Sequence, residues 1–349
     1  KSDPDPMNVL HILPEMDEGG VERHVLWLAN ELSAMGHTVT VVSAGGKLEA
    51  QLKGVKIVHL PVHRKNPLTA LYSAFRIARI AKREKTAILH AHSRVPAWIA
   101  WWASLLSGVP WIATCHAFYS RNAGLIPYKR ARLLVCVSES LQLFYSGIFP
   151  GRECPVIYNG LPPSSYTWKG SEGGTTKFLF VGRLTRKKGL LVLIEAFSRV
   201  AAGTWSLDVL GDGPLSAEAQ VLTVSLGLQD RIFFHGFCDT PEKWMAQCSC
   251  FLFPSLEEGM GLTLMRAISM GVPTIASDLP AVRELSTSTR ALVKPGDVNA
   301  WAQAIGAFLK NGATGAGFDG SKIPSKAEMA HSVVLLYDIV SQRTARSVQ

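Results

Sequence analysis

Asn8-Val9-Leu10-His11-Ile12-Leu13, the loop holding Gly19-Gly20, the segment Val21–Met35 closed by Gly36, and Thr38–Ser43 together decide the fold. An apolar run, a glycine-bearing loop, a stretch of helical periodicity stopped by glycine and a second apolar run predict a strand–helix–strand unit on a parallel sheet. The same grammar recurs outward from there. Strands are expected at Lys56–Leu60, Ile88–His90 and Trp111–Thr114, with helices from Leu68 to about Lys85 and over Pro96–Leu106. The pattern stops at Tyr158–Lys177, where Asn159-Gly160, Pro162-Pro163, Ser164-Ser165 and Gly170 crowd turn formers into a linker. It then restarts, with strands at Lys177–Val181, Trp205–Leu210, Ile232–Phe234, Cys250–Pro254, Thr274–Ser277 and Leu292–Val293. Helices fall near Leu190–Val200, Ser216–Leu226, Pro241–Cys248, Leu262–Met270 and Asn299–Leu309. A last one, Lys326–Val340, follows the glycine-rich loop Gly312–Gly320. The expected class is α/β: two doubly wound, Rossmann-like domains of similar size, facing a cleft because ligands bind beyond the carboxyl ends of such strands.

The chain of 349 residues is 47% hydrophobic and 18% charged, with a mean hydropathy of +0.16. That supports large cores and excludes a disordered chain, a collagen or a coiled coil. No run reaches the ~18 uncharged apolar residues of a bilayer span, and no apolar leader marks export. Lys1–Pro6 precede Met7 and read as an appendage outside the fold. Six cysteines without a Cys-x-x-Cys spacing read as reduced intracellular thiols. Cys248 and Cys250 flank Ser249 with the alternation of a buried strand rather than the ligand spacing of a zinc site.

Charge is uneven. Met7–Gly160 carries 17 Lys/Arg against 9 Asp/Glu, and Leu161–Gln349 carries 18 against 16. A basic first half suggests an anionic partner such as a phospholipid surface, a lipid-linked phosphate or nucleic acid; a generically basic surface is the plain alternative.

Candidate chemistry sits at strand ends. Gly19-Gly20 opens the first helix, where unpaired N–H groups can meet an anion. After Val181, the loop Gly182-Arg183-Leu184 to Lys187-Lys188-Gly189 holds a guanidinium and an ammonium five residues apart, which suits a diphosphate. Glu258-Gly259-Met260-Gly261-Leu262 leads into another helix N-terminus, with a carboxylate able to accept sugar hydroxyls. Cys115-His116-Ala117 and His90-Ala91-His92 place imidazoles at the carboxyl ends of strands, though each single histidine is more often a satisfied core or loop residue and only the combination lifts it.

In order and spacing, Gly19-Gly20-Val21-Glu22-Arg23-His24, Pro155-Val156-Ile157-Tyr158-Asn159-Gly160, Gly182-Arg183 with Lys188-Gly189, Gly211-Asp212-Gly213-Pro214, Glu258 to Leu262 and Gly271-Val272-Pro273 resemble the motifs of family 4 retaining glycosyltransferases. The resemblance runs from Met7 to about Val340. It implies the GT-B fold, with an acceptor-binding domain over 7–160, a linker over 161–176 and a nucleotide-sugar-binding domain over 177–323. A C-terminal helical segment over 324–349 would return to the first domain. It also implies roles. Arg183 and Lys188 would neutralise the donor diphosphate and the leaving nucleotide, without a metal or another cofactor. His116 would contact the donor sugar and Gly20 the phosphate, beside Gly19 and Gly182. Glu258, with Gly259, Met260, Gly261 and Leu262 after it, would hold sugar hydroxyls. The donor would be a UDP-, GDP- or ADP-linked sugar, and anomeric configuration would be retained through front-face attack. The only Asp-x-Asp is Asp3-Pro4-Asp5, in the appendage.

One position departs from the pattern. The family motif carries a second glutamate eight residues after Glu258, and here that residue is Arg266. A guanidinium has no acceptor for ribose hydroxyls. Arg266 could favour a donor with an extra negative group, another carboxylate such as Glu284 could take over, or donor binding is poor and the protein is a weakly active or inactive binding homologue. A GT-B sugar-nucleotide epimerase is a further rival. A dinucleotide dehydrogenase is disfavoured, because Gly19-Gly20 lacks the Gly-x-Gly-x-x-Gly spacing.

On the acceptor side, Arg76, Arg79 and Arg83 line one side of the Leu68–Lys85 helix, joined by Lys82 and Lys85. Arg64-Lys65 and Lys129-Arg130-Ala131-Arg132 add charge, and Trp98-Ile99-Ala100-Trp101-Trp102 adds aromatic surface. The Trp cluster either packs in the interior or joins the basic groups at an anionic membrane surface. No nucleic-acid motif is present. His90-Ala91-His92-Ser93-Arg94 resembles a segment of bacterial glycosyltransferases of lipopolysaccharide core and related glycans. That points to a glycan or glycolipid acceptor and to a cytoplasmic enzyme, peripheral on the inner face of the membrane.

Overall fold

The computed structural model describes residues 5–200, 203–312 and 317–346, which form two compact units. The first runs through Pro162 and resumes at Pro324, and the second is Pro163–Ile323.

The first unit is built from β1 (Asn8–Ile12), α1 (Gly20–Ala34), β2 (Thr38–Ser43), β3 (Lys56–His59), α2 (Pro67–Arg83), β4 (Ile88–His92), α3 (Arg94–Ser107), β5 (Trp111–Cys115), β6 (Leu134–Cys136) and α4 (Glu139–Ile148). All strands are parallel, in the order β3-β2-β1-β4-β5-β6. β4 and β5 are buried throughout, as a sheet with helices on both faces requires. β6 and α4 lie where no element was expected. Their signals are the apolar run Leu133–Val137 and Ser138, whose hydroxyl caps α4 by accepting from the Leu141 amide (3.2 Å).

The second unit follows with β7 (Thr176–Val181), α5 (Leu190–Ser198), β8 (Trp205–Leu210), α6 (Ser216–Ser225), β9 (Ile232–Gly236), α7 (Pro241–Met245), β10 (Cys250–Phe253), α8 (Leu262–Ser269), β11 (Thr274–Ser277), α9 (Pro280–Arg283), β12 (Leu292–Val293) and α10 (Val298–Asn311). Its order, β12-β11-β10-β7-β8-β9, is the doubly wound arrangement again, with the strand order reversing between β7 and β10 as it does between β1 and β4.

The last helix, α11 (Lys326–Arg346), belongs to the first unit. Met329, Ala330, Val333, Val334, Tyr337 and Val340 share one core with Val25, Leu28 and Leu32 of α1, and Lys326 pairs with Glu31 at 2.7 Å. Among the described residues, no helix is long and apolar enough to cross a membrane.

Candidate active site

In the second unit the candidate residues gather at the carboxyl ends of β7 and β10, which are neighbours at the reversal of strand order. Two glycines bring the loops together. Gly211, at φ +134°, lies so close to the loop after β7 that a Cβ would stand 2.0 Å from the Gly182 carbonyl. Gly189, at φ +71°, likewise leaves a Cβ only 2.0 Å from the Pro254 carbonyl. That approach sets Lys188 against Glu258. The ammonium pairs with Glu258 Oε1, which also accepts from Ser255 Oγ at 2.9 Å, and stands 5.8 Å from the centre of the Phe253 ring. The neighbouring Lys187–Glu257 pair (2.5 Å) is more exposed. Arg183 is exposed, and among the described residues its guanidinium has no ion-pair partner. Gly261 ends the Glu258-Gly259-Met260 turn at φ +87° and starts α8 without a side-chain cap, so the first amides of α8 remain open to an anion or hydroxyl. Met260 is buried beneath this turn, and Leu262 is the first residue of α8.

Arg266 does not join this group as an open cation. It is 7% exposed on α8, and its Nε–H lies 3.2 Å from Oε1 of Glu242 on α7. A carboxylate therefore stands beside the position where the motif expects one, carried by a different helix. Glu284, the substitute considered from sequence, ends α9, where its carbonyl accepts from Lys322 Nζ. The one signal that could have pointed to Glu242 was its place at the start of a short helix opened by Pro241.

The first unit gathers histidines at the carboxyl end of its sheet. β1 and β4 pair with His11 opposite His90. His11 Nδ1 and His92 Nε2 are 3.0 Å apart, and His92 Nδ1 and His116 Nε2 are 3.2 Å apart, forming a chain of three imidazoles. His24 of α1 packs edge-on to His116 and donates from Nδ1 to Asn159 Oδ1 (2.8 Å). His90 spans Tyr337 Oη (2.6 Å) and Thr114 Oγ1 (2.7 Å). Burial holds the whole set neutral. It pushes His11 down to about 3, helped by the repulsion it would meet from a protonated His24, and His24 down to about 4 against the Asn159 bond. Burial first, and neighbouring imidazoles second, hold His90, His92 and His116 well below the ordinary range. Two triplets, His11/His90/His92 and His24/His92/His116, have ring nitrogens within 4.8 Å of one another and could hold a metal ion. Because His92 belongs to both, and its two nitrogens already lie in the imidazole chain, binding an ion would break that chain. Gly19 is extended (φ −162°) and starts α1 without a side-chain cap, so the α1 amides open at the same sheet edge.

The tryptophans and cysteines singled out in the sequence pack against their neighbours in the fold. Trp98, Trp101 and Trp102 are half-buried and pack on each other, with Trp98 5.4 Å from each of the other two rings. The six cysteines are free thiols. Burial pushes Cys248 up to about 12 and raises Cys250 well above the ordinary range, which leaves both unreactive.

Two family models match the chain: "Glycosyltransferase Family 4" over residues 18–165 and "Glycosyl transferases group 1" over residues 175–311. The chain belongs to glycosyltransferase family 4. This family 4 glycosyltransferase is 25% identical over 307 residues to an uncharacterised glycosyltransferase of Methanocaldococcus jannaschii, covering 76% of this chain and 78% of that relative. It is 31% identical over 147 residues to the lipopolysaccharide 1,6-galactosyltransferase of Escherichia coli K12, covering 40% and 41% of the two chains. The chain thus spans less than half of that second relative's length. Anabaena HepE, solved in complex with UDP and glucose, superposes with a TM-score of 0.75 at 18% identity, covering 98% of this chain and 99% of that one. The fold of this glycosyltransferase is GT-B, two Rossmann-like units each built on a six-stranded parallel sheet.

Proposed function

We propose that this protein moves a sugar, with retention at the anomeric carbon and without a metal, from a UDP-, GDP- or ADP-linked donor to a lipid-linked or lipopolysaccharide-type glycan. The observation that carries the reading is the convergence of the Gly182–Lys188 loop and the α8 N-terminus on adjacent strands, with Lys188 fixed by Glu258 and Arg183 left open. Preorganised cations at that point stabilise charge where it develops. As the bond from the anomeric carbon to the diphosphate oxygen breaks, its electron pair passes to the phosphate, and Arg183 and Lys188 hold the new charge. The acceptor oxygen bonds to the same face of that carbon, and its proton goes to the departing phosphate, so no strong enzymic base is needed. Glu258 and the amides after it take sugar hydroxyls. His116 is assigned to the donor sugar and Gly19-Gly20 to phosphate. A neutral His116 suits that contact, since its imidazole can donate or accept without bringing charge to the sugar. The galactosyltransferase relative and the UDP- and glucose-bound neighbour support the substrate classes.

The Arg266–Glu242 pair refines the ribose contact: Glu242 supplies the carboxylate, steered by Arg266. The same pair also favours a second reading, a binding homologue with impaired transfer. A nucleotide-sugar panel read by thermal shift selects the donor, since a ligand at 100 times its Kd stabilises by about 2.7 kcal/mol. Transfer from that donor, in the presence of a chelator and with the product anomer assigned by NMR, then tests the chemistry. Tight donor binding with neither transfer nor slow donor hydrolysis would establish the binding homologue instead, and an isomerised sugar formed without acceptor would mark an epimerase.

A further inference from the structure

Among the described residues, nothing covers the outward face of α2. Its opposite face is narrow and small-residue rich: Ala70, Ser73, Ala74, Ile77, Ala78 and Ala81 are buried. Outward stand Leu68, Leu71, Tyr72 and Phe75, which are 78%, 53%, 50% and 49% exposed. Their spacing of i, i+3, i+4 and i+7 makes one continuous apolar stripe about 10 Å long. The stripe passes directly into basic groups. Arg76 donates to Tyr72 Oη (2.9 Å), the Arg79 guanidinium stands 5.1 Å from the centre of the Phe75 ring, and Lys82 and Arg83 follow one turn on. Arg64 and Lys65 lie just before the helix. Between Glu49 and Glu84 the chain holds eight Lys/Arg and no Asp or Glu. Apolar and basic groups thus share one face and are separated along the helix axis.

We infer that α2 is a membrane-docking helix that enters an anionic phospholipid bilayer with its N-terminal end first. Leu68, Leu71, Tyr72 and Phe75 reach the boundary between headgroups and acyl chains, and Arg76, Arg79, Lys82 and Arg83 stay at the phosphates. The charge identifies the occupant. A second copy meeting this face would either stack like charges, with the helices parallel, or lay basic groups on the apolar end, with the helices antiparallel, whereas anionic headgroups over acyl chains complement both ends. The topology gives the contact its sense. α2 follows the carboxyl end of β3 and returns toward the start of β4, so its apolar end stands at the same edge of the sheet as Gly19-Gly20 and the His92–His116 chain. An acceptor anchored in the bilayer would be presented to that edge. This sense of the contact deepens the lipid-linked acceptor reading and rests on it; the docking itself does not.

Vesicle co-sedimentation with the full chain, carrying neither donor nor acceptor, tests docking separately from transfer. The wild type should bind vesicles of phosphatidylcholine with 30% phosphatidylglycerol and leave pure phosphatidylcholine unbound. Arg76→Glu with Arg79→Glu should weaken binding by at least about fivefold for each basic group lost. Leu71→Ser with Phe75→Ser should weaken it by about tenfold or more. Circular dichroism should show both variants folded, and transfer to a water-soluble acceptor should be unchanged. Equal binding to neutral and anionic vesicles, wild-type binding by either variant, or a wild-type dimer that the Leu71/Phe75 variant dissolves would each overturn the inference. Docking that persists in a protein without transfer would sink the activity and leave the docking helix standing.

Discussion

Reversing the charge at Arg266 is the most informative single change in the second unit. Its Nε lies 3.2 Å from Glu242 Oε1, with the Arg266 side chain 9% exposed and that of Glu242 25%. At an effective dielectric near 20, two unit charges about 4 Å apart interact by about 4 kcal/mol. Desolvation of the arginine and solvent at the glutamate offset part of this, leaving a pair that contributes about 2 kcal/mol. Arg266→Glu converts attraction into repulsion and should cost about 3 kcal/mol. For a unit of this size that lowers Tm by roughly 6–12 °C. Glu242→Arg alone should fall in the same range, and the double swap should recover at least half of the loss. Thermal and urea melts of the four proteins give the coupling energy, expected at about 4.5 kcal/mol or more in magnitude, because this cycle counts the lost attraction and the new repulsion together. Additivity within about 0.5 kcal/mol would refute the pairing. Calorimetric titration with the selected donor extends the cycle. Glu242→Gln should weaken donor binding by about 10-fold or more through loss of charge-assisted bonds, and the swap, which returns a carboxylate to position 266, should bind better than Glu242→Gln. Unchanged donor affinity in Glu242→Gln would remove Glu242 from the ribose contact.

Arg183→Ala should lower transfer by about 10²–10³-fold with the fold intact; near-normal turnover would count against stabilisation of the leaving diphosphate. Gly189→Ala forces a Cβ into the Pro254 carbonyl from a left-handed backbone. It should destabilise by about 2 kcal/mol or more, a Tm shift of at least about 4 °C, and an unchanged melt would mean the loop yields freely. The neutral histidines make the first unit acid-sensitive. Their folded pKa values lie below the ordinary 6.5, so the unfolded chain takes up protons first as pH falls. Stability is full above about pH 6.5 and should be lost at about 1.4 kcal/mol per pH unit per imidazole, down toward pH 4 for His24 and pH 3 for His11. A Tm that stays level between pH 7 and pH 5 would contradict this.

The alternation of strands and helices was legible because most apolar runs are bounded by glycine or proline, as at Gly36, Gly108 and Gly211. β6 escaped because it is only three residues long and reaches its neighbours through β5 rather than through local pattern. Arg183, Lys188 and Glu258 were legible as loop residues at strand ends. Their assembly depends on β7 lying beside β10, two segments some 70 residues apart, which no local spacing encodes. The same holds for His11. Inside Asn8–Leu13 it reads as one polar residue in an apolar strand, and only the β1–β4 register sets it against His90 and His92. The exposed stripe of α2 was hidden for the opposite reason. Leucine, tyrosine and phenylalanine at helical spacing look like core, while here alanines take the inner face and the large side chains face out. The tryptophans of α3, read from sequence as either interior packing or membrane surface, are half-buried and pack on one another.

Because Met329, Val333 and Tyr337 complete the interior around α1, ribosomal synthesis imposes a wait on the first unit. Leu28 and Leu32 emerge early, but the helix that covers them is translated only after the whole of the second unit. At about 5–20 residues per second, the intervening segment keeps that surface uncovered for roughly ten seconds to a minute. During this interval the nascent chain presents a greasy patch to chaperones, while the second unit, contiguous in the message, is free to fold first.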